Sequence, residues 1–189
     1  GLKGTIYYSP LESLRQKGQA VLPACETAVD MLYFKTVWKI KEKYLSGQEK
    51  KDLTQCFGTR MDMLNLQWIC RAKKYYHLPE GEIYAMIIPI SLHLKKTEIR
   101  AMAQAEDVEQ VYALIRNSWY GRLDLGNLEK GQSLEEPCRE VIDRIYELTS
   151  RKEPYSASVL NSYLYFKERE IEKIITTIER IRYGVAAGI

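Results

Sequence analysis

Few residues in this chain could do chemistry. It carries two histidines and four cysteines in 189 residues. A metal site needs His, Cys or carboxylate ligands at short, recurring spacings, and a nucleophilic thiol needs a base within reach. His77 and His93 have no such neighbours and read as surface histidines at loop edges. Cys25, Cys56, Cys70 and Cys138 show neither metal-ligand nor redox spacing and read as isolated reduced thiols. Glu80 with Glu82, and Glu135 with Glu136, stand where helices begin, where negative charge suits the helix dipole. The phosphate-cradling glycine loops, the HExxH zinc motif and the nucleophile elbow are all missing. The sequence therefore predicts no catalytic residue, no cofactor and no metal.

The informative polar residues lie instead in the stretch 60–76, RMDMLNLQWICRAKKYY. At about 100° per residue, Met61, Leu64, Trp68, Ile69, Ala72, Tyr75 and Tyr76 share one broad helical face. Asn65 falls inside that arc and Asp62 at its edge, while Arg60, Gln67, Arg71 and Lys74 point away. A buried polar group without a partner costs about 1–3 kcal/mol. Asp62 and Asn65 are thus expected to fix the register between packed elements.

Helices must position them. Ser9-Pro10 reads as a helix start reaching toward Gln19. A long helix follows over 23–45, with Ala24, Ala28, Met31, Leu32, Tyr33, Val37, Trp38 and Ile40 as its apolar face and Lys41 leaving it. Ser46-Gly47 reads as its stop. Gly58 is either a kink in the central helix or a break before it. Two long helices joined by a short loop lie antiparallel. Short helices are expected from Pro79 to about Ile88, over 95–104 and over 106–119, capping the end of the long pair. Ser133 with Glu136 resembles a capping box for a helix reaching Ser150. A final helix over 156–183, about 42 Å long, carries Ala157, Leu160, Leu164, Lys167, Ile171, Ile174, Ile178 and Ile181 at alternating spacings of three and four.

The fold class is therefore all-α, with long antiparallel helices capped by short ones. Residues 1–121 read as one helical module and 122–132 as a glycine-rich linker. Residues 133–189 read as a long-helix pair completing the bundle or beginning a second module. Asp62-Met63-Leu64-Asn65-Leu66 and Glu170-Ile171-Glu172-Lys173-Ile174 form a faint internal echo, in keeping with repeated modules. The net charge is only +3 with both signs interleaved, which argues against a nucleic-acid binder. The longest apolar run, YAMIIPI at 84–90, is too short to span a bilayer, and no signal peptide is visible. The expectation is a reducing, cytoplasmic location. The chain opens at Gly1 without a methionine and is expected to be a fragment or a shortened form.

Asp62-x-x-Asn65-Leu66 followed by Arg71-x-Lys73 resembles the repeated helix signature of the C subunit of V/A-type ATPases, the counterpart of the eukaryotic d subunit. Tyr33-Phe34 upstream, the segment 81–94 with its proline after two isoleucines, and Trp119-Tyr120 are similar to that family's pattern in order and spacing. Tyr163-Leu164-x-x-Lys167-Glu168-x-Glu170-Ile171 resembles its last helix. The likeness covers about residues 22–184. Ile90 stands where the family usually has a glycine soon after the proline, and Lys173 where an asparagine is typical. Family members have about three modules and are longer.

The resemblance implies a non-catalytic component of the central stalk. It would link the rotating shaft to the membrane rotor ring at its cytoplasmic face and transmit torque for ATP-coupled ion transport. It would be peripheral to the membrane without inserting into it. Asp62, Asn65, Arg71, Lys73, Lys167 and Glu170 would be structural signature residues that stabilise modules. The alternative is a helical scaffold or regulatory protein pairing through its C-terminal heptads.

Overall fold

A computed structural model describes residues 2–123, 125, 133–152 and 154–184. Its described residues are all-α. The α-helices are α1 (Tyr8–Gln16), α2 (Leu22–Tyr44), α3 (Gly47–Arg71), α4 (Glu80–Met86), α5 (Lys96–Gln104), α6 (Val108–Asn117), α7 (Glu135–Ser150) and α8 (Ala157–Arg182). A π-helical turn, Ala72–Tyr76, extends α3, and a 3₁₀ turn, Trp119–Arg122, follows α6.

Helix α3 is the axis. Its 25 residues run unbroken through Gly58, which is neither kink nor break but a contact point. A Cβ on Gly58 would lie 2.7 Å from the Cβ of Leu92, so only glycine lets the 88–94 segment approach this closely. Just two residues, Leu45 and Ser46, separate α2 from α3. Ser46 is thus the residue before α3, and Gly47 opens that helix rather than stopping α2. The pair is antiparallel: Lys41 Nζ bonds Thr54 Oγ1 at 2.6 Å, and further along Phe34 meets Trp68 edge-on.

The cap helices do not merely cover the end of that pair. α4 and α6 pack on α3, α5 lies against α4 and α6, and α7 closes the same core from another side. Met63, Leu66, Ile69, Cys70, Ile83, Ile99, Met102, Val111, Ile115, Cys138 and Val141 form one continuous buried cluster. A second cluster, Cys56 with Tyr146 and Tyr165, joins α3 to α7 and α8, with the two tyrosine rings stacked at 4.1 Å. The glycine-rich 126–132 stretch lies outside the described residues.

Several sequence expectations change. On α3, Leu64 and Trp68 are only half-buried and Tyr75 and Tyr76 are exposed. Burial centres on Asp62, Leu66 and Ile69 because neighbours approach from two sides, and the wider π turn swings the tyrosines outward. On α2 the expected face holds for Ala24, Ala28, Met31, Leu32, Val37 and Trp38, which are partly buried, but Tyr33 and Ile40 are exposed and Lys41 is 2% exposed. The Lys41 ammonium sits 3.6 Å from the Trp38 ring centre and also bonds Glu42 at 2.7 Å. Buried cations of this kind survive only when paired. Ser9 lies inside α1, which begins at Tyr8 after a turn from Thr5 O to Tyr8 N and ends at Gln16. The capping box at Ser133 does not form; its hydroxyl accepts from Glu135 N, and Glu136 pairs with Arg139. The heptad stripe of α8 is not part of the core. The helix turns Ser158, Ser162 and Tyr165 inward instead, toward α7 and α3.

Candidate functional site

Asp62 and Asn65 stand one helical turn apart on α3 and are both fully buried. Asn65 reads Ile88 from both sides: its Nδ2 donates to Ile88 O at 3.1 Å, and Ile88 N donates to its Oδ1 at 2.8 Å. Asp62 receives three successive backbone amides, from Leu92 (3.1 Å to Oδ1), His93 (2.8 Å to Oδ2) and Leu94 (3.2 Å to Oδ2). The Tyr120 hydroxyl adds a fourth donor at 2.8 Å. A segment with no regular structure, between α4 and α5, is thereby given the partners that a helix or sheet would supply.

The 3₁₀ turn brings Tyr120 there. Ser118 caps it, its hydroxyl accepting from Tyr120 N at 3.2 Å and donating to Ile115 O at 2.7 Å. Gly121 is needed for that turn, since a Cβ there would collide with the Arg116 carbonyl. His93 is not a free surface residue: its ring stacks on Trp119 at 3.6 Å, and Trp119 meets Tyr120 edge-on.

Burial pushes the Asp62 carboxyl above the usual carboxylate range, and the His93, Tyr120, Leu92 and Leu94 hydrogen bonds pull the other way. The Tyr120 hydroxyl is raised by burial and by the neighbouring Asp62 charge. His93 is lowered by partial burial. The polar atoms of Asp62 and Asn65 are spent on the chain's own backbone and Tyr120. The arrangement holds a loop; it does not present a reacting group.

The other signature residues lie elsewhere. Arg71, at the end of α3, donates through Nε and Nη2 to Glu135 Oε1 at the start of α7, at 3.1 and 2.5 Å. That hydrogen bond lowers the Glu135 carboxyl. Lys73 sits on the π turn, partly buried. Lys167 and Glu170 pair with each other at 2.6 Å on the exposed face of α8. The structure thus unites Asp62 and Asn65 and separates them from the rest. Asp62 and Glu170, aligned in the sequence echo, occupy opposite environments, one buried and one exposed.

Sequence reasoning missed Tyr120 as the partner of Asp62, and Gly58 and Leu92 as the contact beneath the loop. A helix-internal glycine four residues before a helix-internal aspartate was visible only as an ambiguity. Among the described residues no group of His, Cys, Asp and Glu could hold a metal ion, and all four cysteines are free thiols. No helix among them is long and apolar enough to cross a membrane.

The family model for the ATP synthase (C/AC39) subunit matches residues 1–188. The chain belongs to that family. Within the ATP synthase C/AC39 family, it is 28% identical to the A-type ATP synthase C subunit of Pyrococcus abyssi over 192 aligned residues, covering 97% of this chain and 50% of the relative. It is 26% identical to the corresponding Pyrococcus furiosus protein, covering 95% of this chain and 49% of the relative. The Methanobrevibacter smithii counterpart is 24% identical, with the same two coverages. This chain therefore spans about half the length of the curated relatives it matches. In this C/AC39 chain, the Asp62 and Asn65 bonds join the shared apolar cluster in tying the cap to the central helix.

Proposed function

We propose that the chain is a non-catalytic element of the central stalk of an A/V-type ATP synthase or ATPase. In this role it links the rotating shaft to the cytoplasmic face of the membrane rotor ring and carries torque between them. It binds no cofactor and no nucleic acid, does not insert into the membrane, and has no catalytic site of its own. The observation that carries the reading is the family match along residues 1–188. The fold supports it in physical terms. Torque transmission demands stiffness, and here an irregular segment is bolted by buried hydrogen bonds to a 25-residue helix instead of lying loose on the surface. Asp62, Asn65 and Arg71 act inside this element, and partner contacts fall to the exposed residues of the cap helices and helix ends.

Co-purification tests this. The tagged chain is co-expressed with the shaft and ring proteins of its own organism and washed with salt and mild detergent. Capture of either partner is the expected result. Loss of both, in conditions where the rest of the complex assembles, would remove the stalk reading and leave a helical bundle with a different partner.

A further inference from the structure

Helices α3 and α7 run side by side in opposite directions, and three contacts fix their register. Arg71 Nε donates to Glu135 Oε1 at 3.1 Å. Cys56 Sγ lies 3.2 Å from Thr149 Oγ1. Lys152, just past the end of α7, bonds the buried Asp52 at 2.7 Å. In this register the position opposite Cys70 is Glu136, and Cys138 stands two residues further on, about 3 Å along the helix. Both cysteines are free thiols, 4% and 0% exposed, and both turn into the one core cluster that α7 closes. The Cys138 thiol is raised by burial first and by Cys70 second, which sets the two groups within electrostatic reach.

A disulfide needs Cβ atoms about 3.5–4.5 Å apart. Facing residues at nearly one level of two packed helices come that close when both are small. The other two cysteines lack such a neighbour: Cys56 faces Thr149, and Cys25 lies on α2. Burial pushes the Cys70 thiol up to about 12 and raises Cys138 as well, so the closed core is inert and exchange runs through an opened one. There, one thiolate attacks a sulfur of a small-molecule disulfide, forms a mixed disulfide and expels one small thiolate. The second cysteine attacks the protein sulfur of that bond and expels the other. Two protein thiols are oxidised, the small disulfide is reduced to two thiols, and the two cysteine protons end on them.

We propose that Cys70 and Cys138 are a reversible redox lock, whose disulfide ties the end of α3 to the start of α7 and encloses residues 71–137, with helices α4, α5 and α6, in one covalent loop. The cap is then held covalently as well as by the Asp62 and Asn65 bonds, and a dithiol reductant releases it. The proposal goes beyond the stalk reading and does not depend on it.

The test uses the chain in a Cys25→Ser background, which removes the accessible thiol. It is incubated folded with oxidised glutathione, quenched by alkylation and mapped by proteolysis and mass spectrometry. The expected product is a monomer carrying a Cys70–Cys138 linked peptide, with Cys56 alkylated and therefore still reduced. Closing so long a loop should raise Tm by about 5 °C or more, and dithiothreitol should restore both the mass and the Tm. Cys138→Ala should instead keep glutathione on Cys70 as a lasting mixed disulfide. Because the linked peptide is read in the chain with both cysteines present, the result stands even if that variant folds poorly. Thiols that stay reduced would overturn the proposal, as would glutathione left on Cys70 or Cys138 without closure. Pairing through Cys56, or a linked chain with a Tm no higher than the reduced one, would do the same.

Discussion

The Tyr120 hydroxyl donates to Asp62 Oδ2 at 2.8 Å, joining residues 58 apart in sequence. Both groups are buried, and the same carboxylate oxygen also takes the amides of His93 and Leu94. One side chain of α3 therefore fixes two separate segments, the loop before α5 and the turn after α6. The order in the cap depends on this junction more than on any of its short helices alone, since isolated helices this short are marginal in water.

Removing the hydroxyl tests the junction with the least disturbance. Tyr120→Phe keeps the ring packing and deletes one donor to a carboxylate, which costs about 1.5–3 kcal/mol. Asp62→Ala strands three backbone amides and the hydroxyl together and should cost more. Both effects read out as a fall in Tm, at about 2–4 °C per kcal/mol for a chain of this size. Equal stability of Tyr120→Phe and the parent would show that the bond contributes nothing net.

The pH dependence follows from the direction of the Asp62 shift. Burial raises its carboxyl in the folded state, so between the unfolded value, near 3.9, and the higher folded one the folded chain binds more protons at this site than the unfolded chain. The stability this group contributes is full below the unfolded value and is lost as pH rises through the folded one. Asp62→Asn does not titrate. In urea unfolding, the parent should gain on Asp62→Asn as pH falls through the folded value toward the unfolded one near 3.9. A difference that moves the other way would mean that the four donors outweigh burial.

Much of this was legible in the chain. The helices, their order and the antiparallel α2–α3 pair follow from apolar periodicity and from proline and glycine positions. The burial of Asp62 and Asn65 could be read from their places in or beside an apolar arc. Their partners could not. Backbone amides of Leu92, His93 and Leu94 leave no trace in residue type, and Tyr120 looked like any aromatic at a helix end. Lys41 was misplaced because its ammonium is held on the Trp38 ring and by Thr54 and Glu42, where a charge count sees only a surface lysine. The α8 stripe was legible as a pattern, but which face the rest of the chain would cover depended on how α7 docks.

Gly58 gives a prediction of sign. Replacing a glycine inside a helix by alanine normally stabilises by about 0.5–1 kcal/mol. Here the added Cβ would meet Leu92 Cβ at 2.7 Å in a buried contact, and overpacking costs about 1–3 kcal/mol. Gly58→Ala should therefore destabilise in chemical denaturation. Leu92→Ala in the same chain should not rescue it, because the clashing atom is the Cβ that alanine keeps. Leu92→Gly should recover part of the loss. Rescue by Leu92→Ala would instead place the clash further out on the leucine side chain.

The thiols divide by environment. Cys56, Cys70 and Cys138 are buried, whereas Cys25 on α2 is only partly covered. Burial pushes the Cys56 thiol up to about 11 and Cys70 up to about 12, and raises Cys138 as well. The thiolate is the reactive form, so a group both covered and raised is slow on two counts. In the native chain at neutral pH, an aromatic disulfide reagent should therefore release one fast equivalent, abolished by Cys25→Ser. The other three should appear only as the clusters that bury them open, and all four should react at once in denaturant. Those three rates also report the two clusters separately: Cys70 and Cys138 belong to the core shared with the cap, and Cys56 to the junction of α3 with α7 and α8. Tyr120→Phe should then speed the first pair more than the third. An equal acceleration of all three would show that the chain opens as one unit and that the junction at Asp62 is not confined to the cap.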